Sequence, residues 1–407
     1  MQSDHPDKST VPRPDWSPEP IIDWLMSEGR SLKCPQRLTA ALSQVLLECG
    51  VPLLRMRISM RTLHPLFTGS SYTWWRNESE VEAYSPPHSI LQSSDYRGSP
   101  IEAVQTSGQR FRCHLADADS AQLHSSLQTL KQQGACDYLV YPLPQTHNSH
   151  LAIWILATDQ PAGFTDQDLI QLQRIALFLA PVIEVLALEI SARSLLDTYL
   201  GHRSGQRVFD GQISRGDGEL IEAAIWYSDL RDFTAISEQL KPKQLLDLLN
   251  QYFEIISTAV TAQGGEVLRF IGDAMLVIFP SDQNCSLLQA RHNVVAAAKA
   301  AQQAVELINP QLQAQGLPPI RYGLGLDVGE VIYGNVGAPD RLDFTVMGAV
   351  VNRAARLEAL TKQTGCPVLA TEQFALPLLE TFTECGTFAV QGVRQPIRVY
   401  SLAKAGK

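Results

Sequence analysis

Residues 268–279 read LRFIGDAMLVIF, two apolar runs on either side of the dipeptide Gly272-Asp273. A glycine-aspartate pair between such runs predicts a tight β-hairpin. A second apolar run, residues 225–230, also predicts a strand and carries Asp229 near its end. Carboxylates at a strand end and a hairpin tip are well placed to hold a hard cation. Two of them favour Mg²⁺ with a polyphosphate, because Mg²⁺ binds one or two carboxylates together with phosphate oxygens.

Each aspartate taken alone has a structural alternative. Asp273 fits an ordinary β-turn, and Asp229 fits a cap on the helix that begins near Phe233. A third element favours the functional interpretation. Asn352 and Arg356 are four residues apart on a predicted helix and so project from one face. An amide and a guanidinium on one face can hold a ribose and the charge on a transferring phosphate. The alternative for Arg356 is a surface ion pair with Glu358 or Glu330.

Together these stretches resemble the class III nucleotidyl cyclases, the family of adenylate and guanylate cyclases. The resemblance covers roughly residues 218–403 and is specific, because five motifs occur in the family's order. They lie at residues 227–234, 270–274, 329–337, 343–348 and 351–358. The resemblance implies the fold and the nucleotidyl cyclase activity of this family, and both are expectations.

The resemblance assigns roles to individual residues. Asp229, Asp273 and the backbone of Leu230 would bind two Mg²⁺ or Mn²⁺ ions per site. Asn352 would orient the ribose, and Arg356 would stabilise charge on the α-phosphate. The reaction would be attack of the ribose 3′-oxygen on the α-phosphorus of ATP, with pyrophosphate leaving.

The resemblance also implies how the site is assembled. Phe233 and Thr234 belong to the first motif and are assigned to nucleotide binding. Asn352 and Arg356 would come from the opposite subunit, so the active form would be a head-to-tail homodimer with two composite sites. A monomer would then be inactive.

Base choice depends on two positions, Arg269 and Thr345. The adenylate-specific pattern has a lysine at the first, and one subgroup has threonine at the second. The guanylate pattern has glutamate at the first, because guanine needs an acceptor there. Arginine has only donors, so it suits adenine N1 and favours ATP. The alternative for Arg269 is an outward-facing strand residue paired with Glu266.

Composition excludes several classes of protein. The chain has 407 residues, a formal net charge of −9 and seven cysteines without a CxxC pair. The charge argues against a general nucleic-acid binder. The cysteine pattern predicts scattered buried thiols in a reducing compartment. Residues 1–20 lack an apolar signal sequence, and the apolar stretch 176–188 is too short to cross a bilayer. We therefore expect a cytoplasmic protein with no membrane span.

The chain is expected to contain a disordered leader (residues 1–20), a GAF-like regulatory domain (21–180) and a signalling helix with linker (181–217). A catalytic domain (218–407) follows. The GAF-like domain would respond to an unknown small-molecule or protein signal. In this domain we predict a helix over 35–50 and strands over 53–63, 71–75, 136–143 and 151–158.

A helix is predicted to begin at Thr165, where Asp168 completes a capping box. Its apolar residues alternate at spacings of three and four, at positions 169, 172, 176, 179, 183, 186 and 190. This spacing fits either a helix packed on its own sheet or the seam of a parallel dimer. Pro181 counts against a single straight helix, because a proline removes one backbone hydrogen bond and should kink the helix.

The predicted fold class is α+β, with the ferredoxin-like βαβ palm of the cyclase catalytic domain after a mixed α/β domain. In the catalytic domain we predict strands over 221–229, 266–280 (a hairpin), 320–328, 330–337, 385–391 and 396–402. Helices are expected within 232–262, 285–314 and 349–362.

One position departs from the family and yields a prediction. Gln391 stands where the family usually carries a Lys or Arg that contacts the β- and γ-phosphates. Gln391→Lys should therefore lower KM or raise kcat, because a charge-assisted contact contributes on the order of 1.5–3 kcal/mol. Steady-state kinetics of cyclic nucleotide formation would measure the change. Unaltered KM and kcat would show that this position does not contact phosphate.

Overall fold

The chain is described by a computed structural model, which covers residues 16–144, 146, 152–390 and 395–403. It divides into two compact units, Met1–Leu195 (unit 1) and Leu196–Lys407 (unit 2). Gln391 lies outside the described residues, so its predicted role is not addressed by the structure.

Unit 1 is built on one antiparallel sheet. Its helices are α1 (Glu19–Ser27), α2 (Pro35–Glu48), α3 (Pro100–Ser107), α4 (Ser125–Gln132) and α5 (Asp166–Leu200), the last of which continues into unit 2. Its strands are β1 (Arg55–Arg61), β2 (Gly69–Trp75), β3 (Glu82–Tyr84), β4 (Phe111–His114), β5 (Asp137–Leu143) and β6 (Ala152–Thr158). In the described residues the strand order is β3-β2-β1-β6-β5-β4. The predicted α2, β1, β2, β5 and β6 are confirmed to within a few residues.

The two faces of this sheet bury separate apolar clusters. Side chains alternate across a strand, so Met56, Ile58 and Met60 of β1 pack with residues of α1, α2 and α5. The opposite face carries the smaller cluster formed with α3 and α4, which includes Val104 and Leu127. The sheet is therefore covered on both sides.

The start of α5 agrees with the sequence. Thr165 N–H donates to Asp168 Oδ2 (2.8 Å), and Asp168 N–H donates to Thr165 Oγ1 (3.1 Å), which is the predicted capping box. Trp16 Nε1 also donates to Asp168 (2.6 Å) and is buried. Residues 16–20, the part of the expected disordered leader that the structure describes, are therefore ordered.

Of the two alternatives for the apolar spacing in α5, the seam of a parallel dimer is wrong. Its members are buried in the core of unit 1, and Ile190 packs at the edge of that core. The periodicity therefore reflects an amphipathic helix packed on its own sheet. Other apolar residues of α5 are exposed instead, namely Ile170, Leu177, Val185, Leu188 and Leu195.

By length and composition, α5 is also long and apolar enough to cross a membrane. Among the described residues it is the one helix that meets this test, and 44% of its most apolar window is buried inside the protein. The core helix of a soluble domain satisfies the same criterion.

Unit 2 begins with α6 (His202–Phe209) and contains the second sheet. Its strands are β7 (Gly218–Leu230), β8 (Glu266–Ile271), β9 (Ala274–Pro280), β10 (Tyr322–Ala338), β11 (Arg341–Met347), β12 (Val368–Thr371), β13 (Phe382–Phe388) and β14 (Ile397–Leu402). Its further helices are α7 (Phe233–Gln239), α8 (Pro242–Thr261), α9 (Leu287–Ala314), α10 (Ala349–Thr364) and α11 (Glu372–Ala375). In the described part the strand order is β13-β14-β12-β10-β7-β9-β8, and β11 pairs with β10.

The sheet differs from the prediction at β10, β11 and β12, the last of which (Val368–Thr371) was not predicted as a strand. Residues 320–337 were expected to form two strands, but β10 is continuous because it passes through Gly329 at φ +154°, a conformation open to glycine. β11 was not predicted as a strand; it returns antiparallel to β10. The cysteine prediction is wrong in part, since all seven thiols are free but each is partly exposed rather than buried.

Close approach of α10 to the sheet depends on two glycines of β10. A side chain at Gly325 would overlap the backbone carbonyl of Ala354, and one at Gly323 would overlap the side chains of Arg231 and Glu358. The absence of a Cβ at both positions lets α10 lie directly on β10. This packing places the helix over the end of β7 where Asp229 lies, because Gly323 is the register partner of Asp229.

Candidate functional site

The two predicted metal ligands come together at one end of the unit 2 sheet. β7 lies between β9 and β10, and Asp229 pairs with Ala274, the residue that follows Asp273. The hairpin between β8 and β9 is confirmed, with Gly272 at φ +64°. A positive φ at the first turn position fits a two-residue hairpin loop. Both carboxylates are half-buried.

The electrostatics confirm that the two carboxylates are close. The pKa of Asp273 is raised to about 6, first by burial and then by its hydrogen bond to Asp229 and by the Asp229 charge. Burial and the Asp229 charge both favour the protonated form of Asp273, whereas a cation bound between the two groups would favour its ionised form. Beneath them Tyr252 donates a hydrogen bond to Ser228 Oγ (3.0 Å). The strand end is thus supported from the core side.

The cap alternative for Asp229 is wrong, whereas the backbone of Asp273 does form part of a β-turn. The residue at the N-cap of α7 is Asp232, at φ +60°, and not Asp229. Asp273 lies at the hairpin turn, but its carboxyl faces a second carboxyl rather than solvent alone. The arrangement fits a shared cation better than a turn or a cap.

Glu358 and Lys362, which sequence reasoning did not select, also act on this site. Glu358 is buried, and its Oε1 lies 3.2 Å from Arg231 Nη1. Burial and the Asp229 charge raise its pKa to about 7, against the opposing effects of Arg231 and Lys362. Lys362 also lowers the pKa of Asp273. The spacing of four between Glu358 and Lys362 was the available sequence signal.

The two predicted site residues of α10, Asn352 and Arg356, lie on a different face from Glu358. Asn352 and Arg356 are both exposed, whereas Ala354 and Leu357 are buried against the sheet. Among the described residues no ion pair of Arg356 is found, and the expected alternative partner Glu358 is paired with Arg231 instead. The common face predicted for Asn352 and Arg356 is confirmed, and within one chain this face points to solvent.

The two positions assigned to base choice lie in neighbouring strands. Arg269 of β8 forms an ion pair with Asp343 of β11, and not with Glu266 as the alternative proposed. Thr345 lies two residues after Asp343, on the same face of β11, and is buried. A cleft of about 640 Å³ is lined by Arg269, Asp343 and Phe344 among others, but not by Thr345.

Glu266 has a structural role in unit 2. It is buried and accepts hydrogen bonds from Ser204 N–H (3.0 Å) and Tyr333 O–H (3.1 Å). The Ser204 and Tyr333 hydroxyl groups also form a hydrogen bond with each other (2.8 Å). These contacts hold α6 on β8 and β10.

Phe233 and Thr234 open the short helix α7, directly after the strand that carries Asp229 and Leu230. Phe233 is half-buried against the core of unit 2, and Thr234 is exposed. The first N–H groups of a helix have no partner within it. The side chain of Leu230 is buried, so only its backbone could serve as a ligand.

Comparison with known proteins identifies the domain. Residues 219–404 match the family model of the Adenylate and Guanylate cyclase catalytic domain. This part of the chain belongs to the class III adenylate and guanylate cyclase family, as the sequence motifs predicted. The GAF-like character expected for unit 1 stays a prediction.

Two curated relatives are adenylate cyclases by name. Adenylate cyclase 1 of Rhizobium meliloti is 31% identical over 185 residues, which cover 44% of this chain and 27% of the relative. Adenylate cyclase of Anabaena cylindrica is 37% identical over 165 residues, covering 39% and 31%. The matches thus span less than a third of the length of these relatives.

Solved structures of both specificities are similar to this chain. The adenylyl cyclase CyaB of P. aeruginosa is 28% identical, with a TM-score of 0.42, and the match covers 47% of this chain and 98% of that one. The guanylyl cyclase Cya2 is 30% identical, also with a TM-score of 0.42, covering 47% and 95%.

A prediction follows from the buried Glu358. Its pKa of about 7 in the folded protein lies above the ordinary value of 4.5. The folded protein therefore holds a proton that the unfolded chain has lost, and stability falls as pH rises from about 4.5 to about 7. Glu358→Gln removes this titration and should flatten the dependence by on the order of 2–3 kcal/mol.

Urea unfolding of the full chain, followed by circular dichroism across this pH interval, would measure the effect. Glu330→Gln, which changes an exposed glutamate of β10, is the matched control and should keep the wild-type slope. Equal slopes in wild type and Glu358→Gln would contradict the assignment.

Proposed function

We propose that the chain is an adenylate cyclase, which converts ATP to 3′,5′-cyclic AMP and pyrophosphate. The observation that carries the proposal is the pair of adjacent half-buried carboxylates, Asp229 and Asp273, at the end of the central strand of a cyclase-family domain. The two adenylate cyclase relatives support the choice of activity.

The carboxylate pair fits a divalent cation. Asp229 and Asp273 lie within hydrogen-bonding reach of each other, and both supply the carboxylate oxygens that a divalent cation prefers. The described residues contain no cluster of three or more His, Cys, Asp or Glu side chains that could hold a metal. Substrate phosphates, water and the Leu230 carbonyl would complete the coordination. We propose two Mg²⁺ or Mn²⁺ ions per site; when bound, they neutralise phosphate charge and favour ionisation of the 3′-hydroxyl.

The protein's own residues would orient the reacting groups. The backbone N–H groups of Phe233 and Thr234, at the start of α7, would face the triphosphate. Asn352 would hold the ribose, and Arg356 would stabilise the charge that develops on the α-phosphate. The bond from O3′ to the α-phosphorus forms, the bond from the α-phosphorus to the bridging oxygen breaks, and pyrophosphate leaves with that oxygen.

A homodimer is required by this assignment. Asn352 and Arg356 face away from the sheet of their own chain, so a second chain would place them on the opposite carboxylate pair. We propose two composite sites in a head-to-tail arrangement. The exposed apolar residues of α5, which include Leu177 and Val185, would add a contact between the two copies of unit 1.

Regulation and location are further parts of the proposal. Unit 1 would act as a GAF-like regulatory domain that responds to a signal through α5, the helix that continues into unit 2. We propose a cytoplasmic location; the burial of one face of α5 in the core of unit 1 supports it, since the core helix of a soluble domain can be as long and apolar as a membrane span.

Guanylate cyclase activity is the second candidate. Asp343, paired with Arg269, offers the acceptor that guanine N1–H and its exocyclic amine require. A solved guanylyl cyclase is as similar to this chain as the adenylyl cyclase is. Arg269 itself favours adenine, because it can only donate.

The deciding assay measures cyclic nucleotide formation by the full chain with ATP or GTP, and with Mg²⁺ or Mn²⁺. We expect cyclic AMP, and none from Asp273→Ala. Arg269→Glu should lower kcat/KM for ATP by about 10- to 100-fold, the loss of a charged hydrogen bond. Arg341→Glu, an exposed change on β11, is the control. Cyclic GMP as the main product would favour the second candidate, and nucleotide binding without turnover would indicate a binding-only signalling dimer.

Composite sites predict complementation between inactive variants. Asp273→Ala and Arg356→Ala should each be inactive alone. Mixed during refolding or coexpression, they should recover about a quarter of wild-type activity, because half the dimers are mixed and each of these has one intact site. Asp229→Ala mixed with Asp273→Ala should recover nothing, since both defects fall on the same side of the site. Failure of the first mixture would contradict the dimeric site.

A further inference from the structure

Unit 1 contains a cavity of about 470 Å³ that the proposed reaction does not use. It lies on the sheet face opposite Met56 and Ile58, the side chains that pack with α1, α2 and α5. Alternation along β1 therefore places Arg57, Ser59 and Arg61 on the cavity side, and all three line the cavity. A volume of this size is typical of small-molecule sites.

Within the part of the chain that the structure describes, Arg57 and Arg61 form no ion pair with an acidic residue. Arg57 Nε is buried without a hydrogen-bond partner among the described residues. Burial also lowers the pKa of Arg57, which indicates a cation held in poorly hydrated surroundings. Arg61 donates to the neutral amide oxygen of Gln105 (3.3 Å), as does Tyr96 O–H (2.9 Å). A buried cation without a counter-charge is unfavourable unless an anion binds.

The nearby acidic residues do not neutralise the arginines. Asp95 is the one acidic residue among those that line the cavity; it is exposed and forms no ion pair within the described residues. Glu82 acts on Arg57 only at longer range, opposing the effect of burial. On the same strand face, Arg55 stacks over the Trp75 ring at 5.2 Å and adds a further positive charge.

The walls complement such an anion with neutral groups. Ser59 and Ser71 share a hydrogen bond (2.9 Å) at the cavity floor, where they are register partners on β1 and β2. Ile90, Ile101 and Tyr96 give the cavity an apolar and aromatic side. This combination accommodates a molecule with one acidic group and an apolar body.

We propose that this cavity binds a small organic anion whose phosphate or carboxylate group is held by Arg57 and Arg61, with its apolar part against Ile90, Ile101 and Tyr96. Guanidinium groups bind both kinds of anion in a bidentate manner. The inference goes beyond the proposed cyclase reaction, and its test is a binding measurement that stands whether or not the chain forms cyclic nucleotides.

The test uses the full chain and three aromatic probes: phenyl phosphate, benzoate and the neutral benzyl alcohol. Titration calorimetry and the shift in melting temperature would measure binding, since a ligand of the folded state stabilises it. We expect one or both anions to bind at least about tenfold more tightly than benzyl alcohol. The anion that binds more tightly identifies the acidic group.

Two variants and one control locate the binding. Arg57→Gln and Arg61→Gln should each weaken binding of the anions by about tenfold or more. Arg37→Gln, an exposed change on α2, should not alter it. Because the Arg57 variant could fail to fold, Arg61→Gln, with a circular dichroism spectrum like that of wild type, is decisive by itself. Equal binding of benzyl alcohol, unchanged affinity in folded Arg61→Gln, or no binding of either anion would overturn the proposal.

Discussion

The repulsion between Asp229 and Asp273 is the constraint on which the candidate site of unit 2 depends. Strand register fixes it: Asp229 pairs with Ala274 on one side and with Gly323 on the other. The backbone positions of the two residues cannot separate without a shift in the central strands, and a shift by one residue would turn every buried side chain of β7 to the opposite face. The fold therefore holds two carboxylates together, which raises the pKa of Asp273 and would favour binding of a cation.

Helix α10 serves this site with two faces. Its buried face brings Glu358 near Asp229, whose charge helps to raise the pKa of Glu358, and the exposed Lys362 lowers the pKa values of both Asp273 and Glu358. Its outer face presents Asn352 and Arg356 to solvent. In the proposed dimer, this one helix would affect the half-site of its own chain and carry Asn352 and Arg356 for the half-site of the partner. The face of α10 on which a residue lies therefore decides whether it can act on the aspartates of its own chain.

The sequence predicted those parts of the fold and of the candidate site that depend on residues close together in the chain. The hairpin at Gly272-Asp273, the common face of Asn352 and Arg356, and the capping box at Thr165 each involve residues close together in the chain. The partners of Arg269 and Glu358 could not be predicted, because Asp343 and Arg231 become neighbours only through strand order and helix packing. The α5 seam failed for a related reason. A spacing of three and four describes an apolar face, but not whether a sheet or a second helix covers it.

Unbalanced charge marks both candidate sites. Unit 2 holds the adjacent carboxylates of Asp229 and Asp273, and unit 1 holds Arg57, whose Nε is buried and has no hydrogen-bond partner among the described residues. Each arrangement costs stability in the empty protein, and each is relieved by a ligand of opposite charge. Binding in unit 1 could alter catalysis only if the anion favours one arrangement of the dimer over another. The coupling would then be reciprocal: nucleotide bound at unit 2 would change the affinity of unit 1 for its anion by the same factor, which makes affinity in unit 1 a measure of regulation independent of turnover.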